Sequence, residues 1–335
     1  MPNDTVRLEI DRTIMDGFVS MALTFGIKEF VAGFAIELLD VEANRWIKPF
    51  GYQQVAIYYG DELLLTGRIE KIDRNQSKNL KIEGRSLPAV LIDASMPSPS
   101  QYHDVTLATL ISDIAHPYGL SVENHVDNLP SYPQLQGEVD AKIHSFINCC
   151  AENDNILLRS TANGDILIDK QKEGAVQATF RPQQGGYLDA QVSFDGSQRF
   201  SSLTLLAQST EDLELSYTIE DTSMPVYRPL VEKAEAPDLA TLQNIAKRRL
   251  ALSLSQSMRL SLTLNGWYRG THGKLLQVGD IIQLEDASLN LERPTAFLIE
   301  SLSLSLSSGE WRSALTLVLP NVYSEEPLEG EHPWQ

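Results

Sequence analysis

Four histidines, His103, His116, His125 and His144, are the side chains best suited to hold a metal or to move a proton near neutral pH. A structural zinc site needs three or four such donors converging tetrahedrally, and these spacings match no compact ligand motif. His116 precedes Pro117 at a helix end and His144 sits beside an apolar helical stripe, so capping or surface roles fit them better, and no metal is expected. Cys149 and Cys150 carry the two thiols. Adjacent cysteines close only a strained ring, so no disulfide framework is expected, which fits assembly in a reducing cytosol. Cys149 lies toward the C-terminal half of its predicted helix, where the dipole opposes a thiolate nucleophile, and Cys150 reads as a core residue.

No Gly-x-Ser-x-Gly elbow, Gly-rich phosphate loop or His-Glu-x-x-His occurs, so acyl transfer, nucleotide hydrolysis and zinc proteolysis lack their usual residues. Asp and Glu together number 45, too many to single out a glycosidase pair without geometry. Trp267, Tyr268, Trp311 and Tyr227 could build a sugar-stacking platform, but Trp267 follows a strand and Gly266, where core or interface packing is the commoner fate. No catalytic residue and no cofactor are expected.

The 45 acidic residues outweigh 27 basic ones, giving a net charge of −18. Such a surface repels phosphate and lacks the basic face that duplex recognition requires. Met1 to Arg12 alternates charges with single apolar residues, and Glu37 interrupts the longest apolar-looking run, Phe30 to Leu39. Neither signal peptide nor membrane-spanning helix is therefore expected. At 335 residues, with 42% hydrophobic, the chain has enough core for two to four domains.

The elements that must position these residues follow from periodicity. Residues 1–90 read as strands, since apolar residues recur at every second position in Val6, Leu8, Ile10, in Phe34, Ile36, Leu38 and in Val55, Ile57, Tyr59. Gly60-Asp61 predicts a hairpin turn, with Gly67 interrupting the returning strand as a possible bulge. The segment predicts a small antiparallel barrel or sandwich whose edges must close or be covered. Residues 91–185 predict an α+β insert. Leu107, Leu110, Ile111 and Ile114 form a helix capped by Thr106 and stopped by Pro117, and Ile143, Phe146, Ile147 and Cys150 form a second behind Asp140. Ile156 and Leu158, Asn163-Gly164, then Ile166 and Ile168 predict a hairpin with positive φ at its tight turn.

Residues 186–322 return to strands, in Val192 and Phe194, Leu203 and Leu205, and Leu260, Leu262 and Leu264. A helix near 238–252 interrupts them, capped by Asp238, with Leu239, Leu242, Ala246 and Leu250 on one face and Lys247, Arg248 and Arg249 in its C-terminal part. Residues 323–335 predict a flexible tail. Val55 to Arg85 and Leu276 to Leu319 share an outline of strand, Gly-Asp, strand and returning strand. A weak internal duplication and a chance recurrence of Gly-Asp turns both fit it. The expected class is a β-rich α+β fold, with two similar small antiparallel β-barrels flanking the insert.

In order and local motif the chain resembles the baseplate hub family of Mu-like contractile-tailed phages, related to the T-even hub. The carriers are Val55 through Gly60 and Asp61, then Leu65-Thr66-Gly67-Arg68-Ile69, Gly84-Arg85-Ser86 and Leu91-Ile92-Asp93. Downstream come Thr106-Leu107 to Tyr118-Gly119-Leu120, Arg199 to Leu203 as the strand opening the second barrel, and Asp221 with Tyr227-Arg228-Pro229-Leu230. Asn265-Gly266-Trp267, Val278-Gly279-Asp280 and Phe297 to Glu300 complete the series. The chain departs from the family in a shortened N-terminal approach and in lacking an aromatic residue near Leu276.

The resemblance implies a non-enzymatic structural protein, a homotrimer joining a hexameric tail tube to a trimeric central spike, with other baseplate proteins and the tape measure as further neighbours. It implies that DNA only passes through the channel, that this chain inserts in no membrane, and that it is made in the bacterial host cytoplasm and resides in the baseplate of a virion or tail particle. Gly60, Asp61, Gly67, Gly84, Arg85, Asp221, Tyr227, Arg228, Pro229, Gly266, Trp267, Gly279 and Asp280 are its structural motif residues. A carbohydrate-binding or cell-wall-degrading β-rich protein is the alternative.

Overall fold

The computed structural model describes residues 5–323 except 16, 77–78, 98–99, 139, 172–173, 183–185, 209–213 and 237. The tail expected after Tyr323 lies outside the described residues. The chain divides into two compact units, Met1–Lys170 with Asn265–Arg269 and Ser301–Ser313, and Gln171–Leu264 with Gly270–Glu300 and Ala314–Gln335.

The first unit opens with β1 (Val6–Ile10), β2 (Thr13–Met15), β3 (Phe18–Gly26), β4 (Gly33–Leu39), β5 (Gln54–Tyr59), β6 (Glu62–Arg74) and β7 (Asn79–Ser86). Residues 301–307 pair with β3, and the ladders continue in the order β3, β4, β7, β6, β5, β1, β2. All are antiparallel. The period of two sends Phe34, Ile36 and Leu38 of β4 and Val55, Ile57 and Tyr59 of β5 inward. The predicted hairpin turns at Gly60-Asp61, with Gly60 at φ 59°. Register shifts place the irregularities after Ile57 and after Ile69, so the bulges flank Gly67 instead of falling on it.

The rest of the unit is the α+β insert: α1 (Val90–Asp93), β8 (Gln101–Thr106), α2 (Leu107–Ala115), β9 (Val122–Asn124), β10 (Ser131–Gln136), α3 (Ile143–Asn153), β11 (Leu157–Ser160) and β12 (Ile166–Asp169). Thr106 caps α2 by accepting from the Thr109 amide at 3.2 Å, and Gly119, at φ 71°, follows the turn that contains Pro117. Leu107, Leu110 and Ile111 are fully buried against Ile143, Ile147, Ile166 and Ile168, each such burial stabilising by roughly 1.5–3 kcal/mol. Asp140 does not cap α3. Lys142 occupies that position without a side-chain cap, and Asp140 takes a positive φ of 70° in the approach. In the β11–β12 hairpin Gly164 alone of the Asn-Gly pair has positive φ, because the Gly164 amide closes on Thr161 O and the loop runs on to Asp165.

The second unit holds β13 (Val176–Phe180), β14 (Asp189–Phe194), β15 (Ser202–Gln208), β16 (Glu214–Glu220), β17 (Pro229–Lys233), α4 (Leu239–Gln256), β18 (Met258–Asn265) as far as Leu264, β19 (Ile281–Asp286), β20 (Leu291–Ser307) as far as Glu300, and β21 (Glu310–Val318) from Ala314 onward. Its larger sheet runs β14, β18, β21, β20, β19, β13, with β13 and β19 parallel. No ladder among the described residues closes either unit's sheet into a barrel. β15, expected to open a second barrel, lies instead between β16 and β17 in a separate three-stranded sheet. Phe200, Leu203 and Leu205 meet Leu242, Ala246, Leu250 and Leu254 of α4 in one core.

Asp238 caps α4 as expected, accepting from the Thr241 amide at 2.8 Å. Leu239, assigned to the buried face, is 45% exposed, since packing begins with Leu242. The helix continues to Gln256, so Lys247, Arg248 and Arg249 sit in its middle, where Arg249 clasps Glu232 at 2.7–2.8 Å. Residues 266–280 do not form the strand expected at Leu276, because Gly266, Gly273 and Gly279 all take positive φ and break the extended run. The overall class is the β-rich α+β fold expected.

Candidate functional site

The motif residues fall into four local structures. On the first sheet β6 and β7 approach so closely that a Cβ at Gly67 would lie 2.3 Å from Arg85 O and one at Gly84 would lie 1.9 Å from Arg68 O. Arg85 projects from this place and forks onto Glu70 at 2.7 and 2.8 Å, with Asp93 at 2.6 Å. The Glu70 hydrogen bond leads in raising its pKa further, so this guanidinium links sheet to insert as a permanent cation. Asp61 is exposed in its turn, and the Gly60 amide donates to Thr5 O at 2.8 Å.

In the same unit, Trp267 is 6% exposed and donates through Nε1 to Ser305 O at 3.0 Å. Its ring meets Trp311 edge-on at 4.9 Å and Tyr59 at 5.2 Å, and the Arg269 guanidinium lies over Tyr59 while bonding Glu62 at 3.1 Å. Gly266, at φ 99°, sets the entry, its amide donating to Trp311 O and its carbonyl accepting from Ser313. The strand end at Tyr59 and a segment some two hundred residues later thus form one aromatic cluster. This packing removes Trp267 from any sugar platform. Trp267→Phe keeps most of the apolar contact but strands Ser305 O, so we expect a loss of about 1–3 kcal/mol by urea denaturation.

In the second unit Asp221 is 8% exposed and accepts from Arg199 Nη2 at 2.7 Å and from the Ser223 amide and hydroxyl at 3.0 and 2.5 Å. Burial pushes its pKa up, but the Ser223 and Arg199 interactions outweigh that and hold the carboxyl below the usual range. Arg228 caps three carbonyls, of Gly196, Ser197 and Arg199, at 3.0–3.3 Å, and its amide donates to Ser201 Oγ. Between this clamp and the Asp221 knot stands Tyr227, 85% exposed, and Pro229 begins β17. Gly279, at φ 91°, donates to Ile299 O, while Asp280 accepts from the Gln277 amide and faces His272 Nε2 at 3.3 Å.

Among the described residues, none of these local structures arranges a nucleophile, base and oxyanion donors around one point. Among the described residues no three of His, Cys, Asp and Glu are placed to hold a metal ion. His125 pairs with Glu123 at 2.7 Å, and the His144 ring lies tilted by 39° beside Phe30 at 4.7 Å, with burial pushing its pKa down. Burial pushes the Cys150 thiol up to about 11, as befits a core residue. No helix among the described residues is long and apolar enough to cross a membrane. Sequence reasoning missed Arg199 as partner of Asp221, and Tyr59 and Arg269 in the aromatic cluster. It also missed the exposed pair Phe50 and Tyr52, for which Pro49 and Gly51 were the available signal.

Residues 88–170 match the family model described as baseplate hub protein gp44-like, second domain. The chain is similar to baseplate hub proteins. The family resemblance drawn from the motifs is borne out, and it is anchored in the insert. Among solved structures, the 43 kDa tail protein of prophage MuSo2 from Shewanella oneidensis is 20% identical, with a TM-score of 0.84 over 95% of this chain and 98% of that one. The tail protein from Neisseria meningitidis MC58 is 18% identical, with a TM-score of 0.83 over 96% and 98%. The Escherichia coli c3393 protein is described as a type VI secretion component structurally similar to the T4 tail proteins gp27 and gp5. It is 13% identical, with a TM-score of 0.61 over 93% and 76%. At these identities the hub-like chain shares the fold of tail proteins. No curated protein sequence matches it.

Proposed function

We propose that this protein is the structural hub of a contractile phage tail or tail-like particle, a homotrimer adapting a six-fold tail tube to a three-fold central spike, without catalytic activity. The observation that carries this reading is a tail-protein fold spanning 95% of the chain around a hub-type second domain. Residues 1–90 and 186–322 would serve as two similar barrels, 91–185 as the insert facing the spike, and 323–335 as a tail. Three copies of a paired unit offer six docking faces, as a closed ring of heterologous contacts requires. The thirteen motif residues act here as scaffolding: glycines that let strands and turns close, and the Arg85, Arg228 and Asp221 knots that fix their ends.

Three chains carry 3 × −18 = −54 formal charges, a sign that lets DNA pass without adhering. The protein would be made in the host cytoplasm and reside in the baseplate, touching the tube, the spike, other baseplate proteins and the tape measure. Light scattering should give three times 37.3 kDa, about 112 kDa. A strict monomer at micromolar concentration counts against the reading. The carbohydrate alternative retains the exposure of Tyr227 and Tyr268 in its favour, and turnover of peptidoglycan fragments abolished by a single Asp or Glu change would establish it.

A further inference from the structure

The α-helices of this chain are unequal in charge. α1, α2 and α3 contain no lysine or arginine, whereas α4 carries Lys247, Arg248 and Arg249 and no carboxylate from Leu239 to Gln256. In a chain of net charge −18 this helix stands against the field of the whole, and its neighbours answer only part of its charge. Arg249 clasps Glu232, and Asp238 is committed to the helix start through the Thr241 amide. Glu235 lies before that start, so about 12 Å of helix separates it from Lys247. Lys247 is exposed and joins no ion pair among the described residues. Its neighbours at four and eight residues toward the helix start are Gln243 and Leu239, the latter 45% exposed although its type suits a buried face.

We infer that this face of α4 is the docking site of the chain's own residues 324–335. That segment holds Glu325, Glu326, Glu329 and Glu331 and no lysine or arginine, so its charge is opposite to that of α4. It also starts beside the helix. The turn Pro320–Tyr323 packs against α4 within the second unit, and the Tyr323 hydroxyl donates to Glu300, which pairs with Arg259 just past the helix end. Lys247 lies nine residues before Gln256, about 14 Å along the helix. Glu329 and Glu331, six and eight residues past Tyr323, reach about 20–28 Å when extended, which spans that distance. Leu239 lies two turns beyond Lys247, and Trp334 follows Glu331 by three residues, so an apolar ring is carried toward the exposed leucine. Exposed ion pairs are individually weak, but the tether holds these carboxylates at high local concentration. Seated there, the segment screens α4 from other acidic surfaces, including those of further copies of this chain. The docking does not rest on the hub reading.

The test is carbodiimide cross-linking of the full chain, which joins an amine to a carboxylate where the two meet. Lys71, 2.9 Å from Asp73 and 3.1 Å from Glu83, is the control in the same sample. Peptide mapping of the single-chain band from a denaturing gel should find Lys247 joined to at least one of Glu325, Glu326, Glu329 and Glu331 at low salt, and high salt should abolish that link. Cross-links at Lys71 with none from Lys247 to the four glutamates would overturn the proposal. Links from Lys247 confined to covalent dimers would overturn it in favour of docking onto a second copy. In parallel, Lys247→Glu should speed removal of residues 324–335 by a broad-specificity protease about fivefold at low salt while leaving thermal melting unchanged. Equal rates in the wild type and Lys247→Glu would count against the docking whatever the oligomeric state, whereas a strict monomer by light scattering would refute the trimer and leave both measurements intact.

Discussion

Asp221→Ala should cost about 3–5 kcal/mol of stability, measured from urea denaturation, because it strands a charge inside the protein. The Arg199 side chain is 14% exposed and that of Asp221 only 5%, so water cannot replace the lost partner as it would on an open surface. The Ser223 amide and hydroxyl lose their acceptor in the same step. Replacing both partners together, Arg199→Met with Asp221→Leu, should cost much less than the single change, since no uncompensated charge remains. The sign of the pH dependence follows from the lowered Asp221 pKa. The carboxyl ionises more readily folded than unfolded, so its contribution is complete above the unfolded value near 3.8 and is lost as pH falls through the folded value. Acid titration of the wild type should therefore show a component that Asp221→Asn lacks. Loss of the knot should also loosen the backbone at Ser201, whose carbonyl receives the Asp221 amide and whose hydroxyl receives that of Arg228, and amide exchange there should accelerate.

Local structure was legible in the sequence wherever one face of an element meets a core. The alternation in Phe34, Ile36 and Leu38 and the stripe Leu107, Leu110, Ile111 and Ile114 name their elements directly, and Thr106 and Asp238 mark helix starts by chemistry that depends on three or four neighbouring residues. Partner choice was not legible. Leu203 and Leu205 show that β15 has a buried face, but the same alternation serves a sheet covered by α4 and a strand of a barrel. Asp280 and Asp61 follow glycines of similar φ sense, yet one lies in a hairpin and the other after a run of turns, a difference set by Gly273 and Gly266 upstream. The motif list therefore named Asp221 but not Arg199 as its counter-ion, and Trp267 but not Tyr59, since long-range pairing leaves no periodic trace. The hub resemblance succeeded because ordered local motifs survive where pairings cannot be read.

Gly84→Val should be the most damaging single change in the first unit, preventing folding or lowering stability by about 3 kcal/mol or more. The reason is backbone, not side chain. A Cβ there would lie 1.9 Å from Arg68 O and 2.6 Å from Phe34 Cζ. Trimming the ring cannot rescue it, so Phe34→Leu combined with Gly84→Val should remain as unstable as Gly84→Val alone; recovery of the double variant would show that the ring, not the strand, sets the limit. Gly119 provides the contrast. It has positive φ, 71°, with nothing within 4 Å of a built Cβ, so Gly119→Ala should cost only the left-handed penalty, about 1–2 kcal/mol. Gly67 meets the same constraint from the opposite strand, its Cβ falling 2.3 Å from Arg85 O. The β6–β7 crossing must therefore open once to admit either side chain, and after it has opened the second substitution meets less resistance. Gly67→Ala with Gly84→Ala should accordingly be less destabilising than the sum of the two single changes, whereas independent sites would add. Because Arg85 leaves the sheet at this crossing to hold both Glu70 and Asp93, opening it would also displace the ion pairs that tie the insert to the sheet.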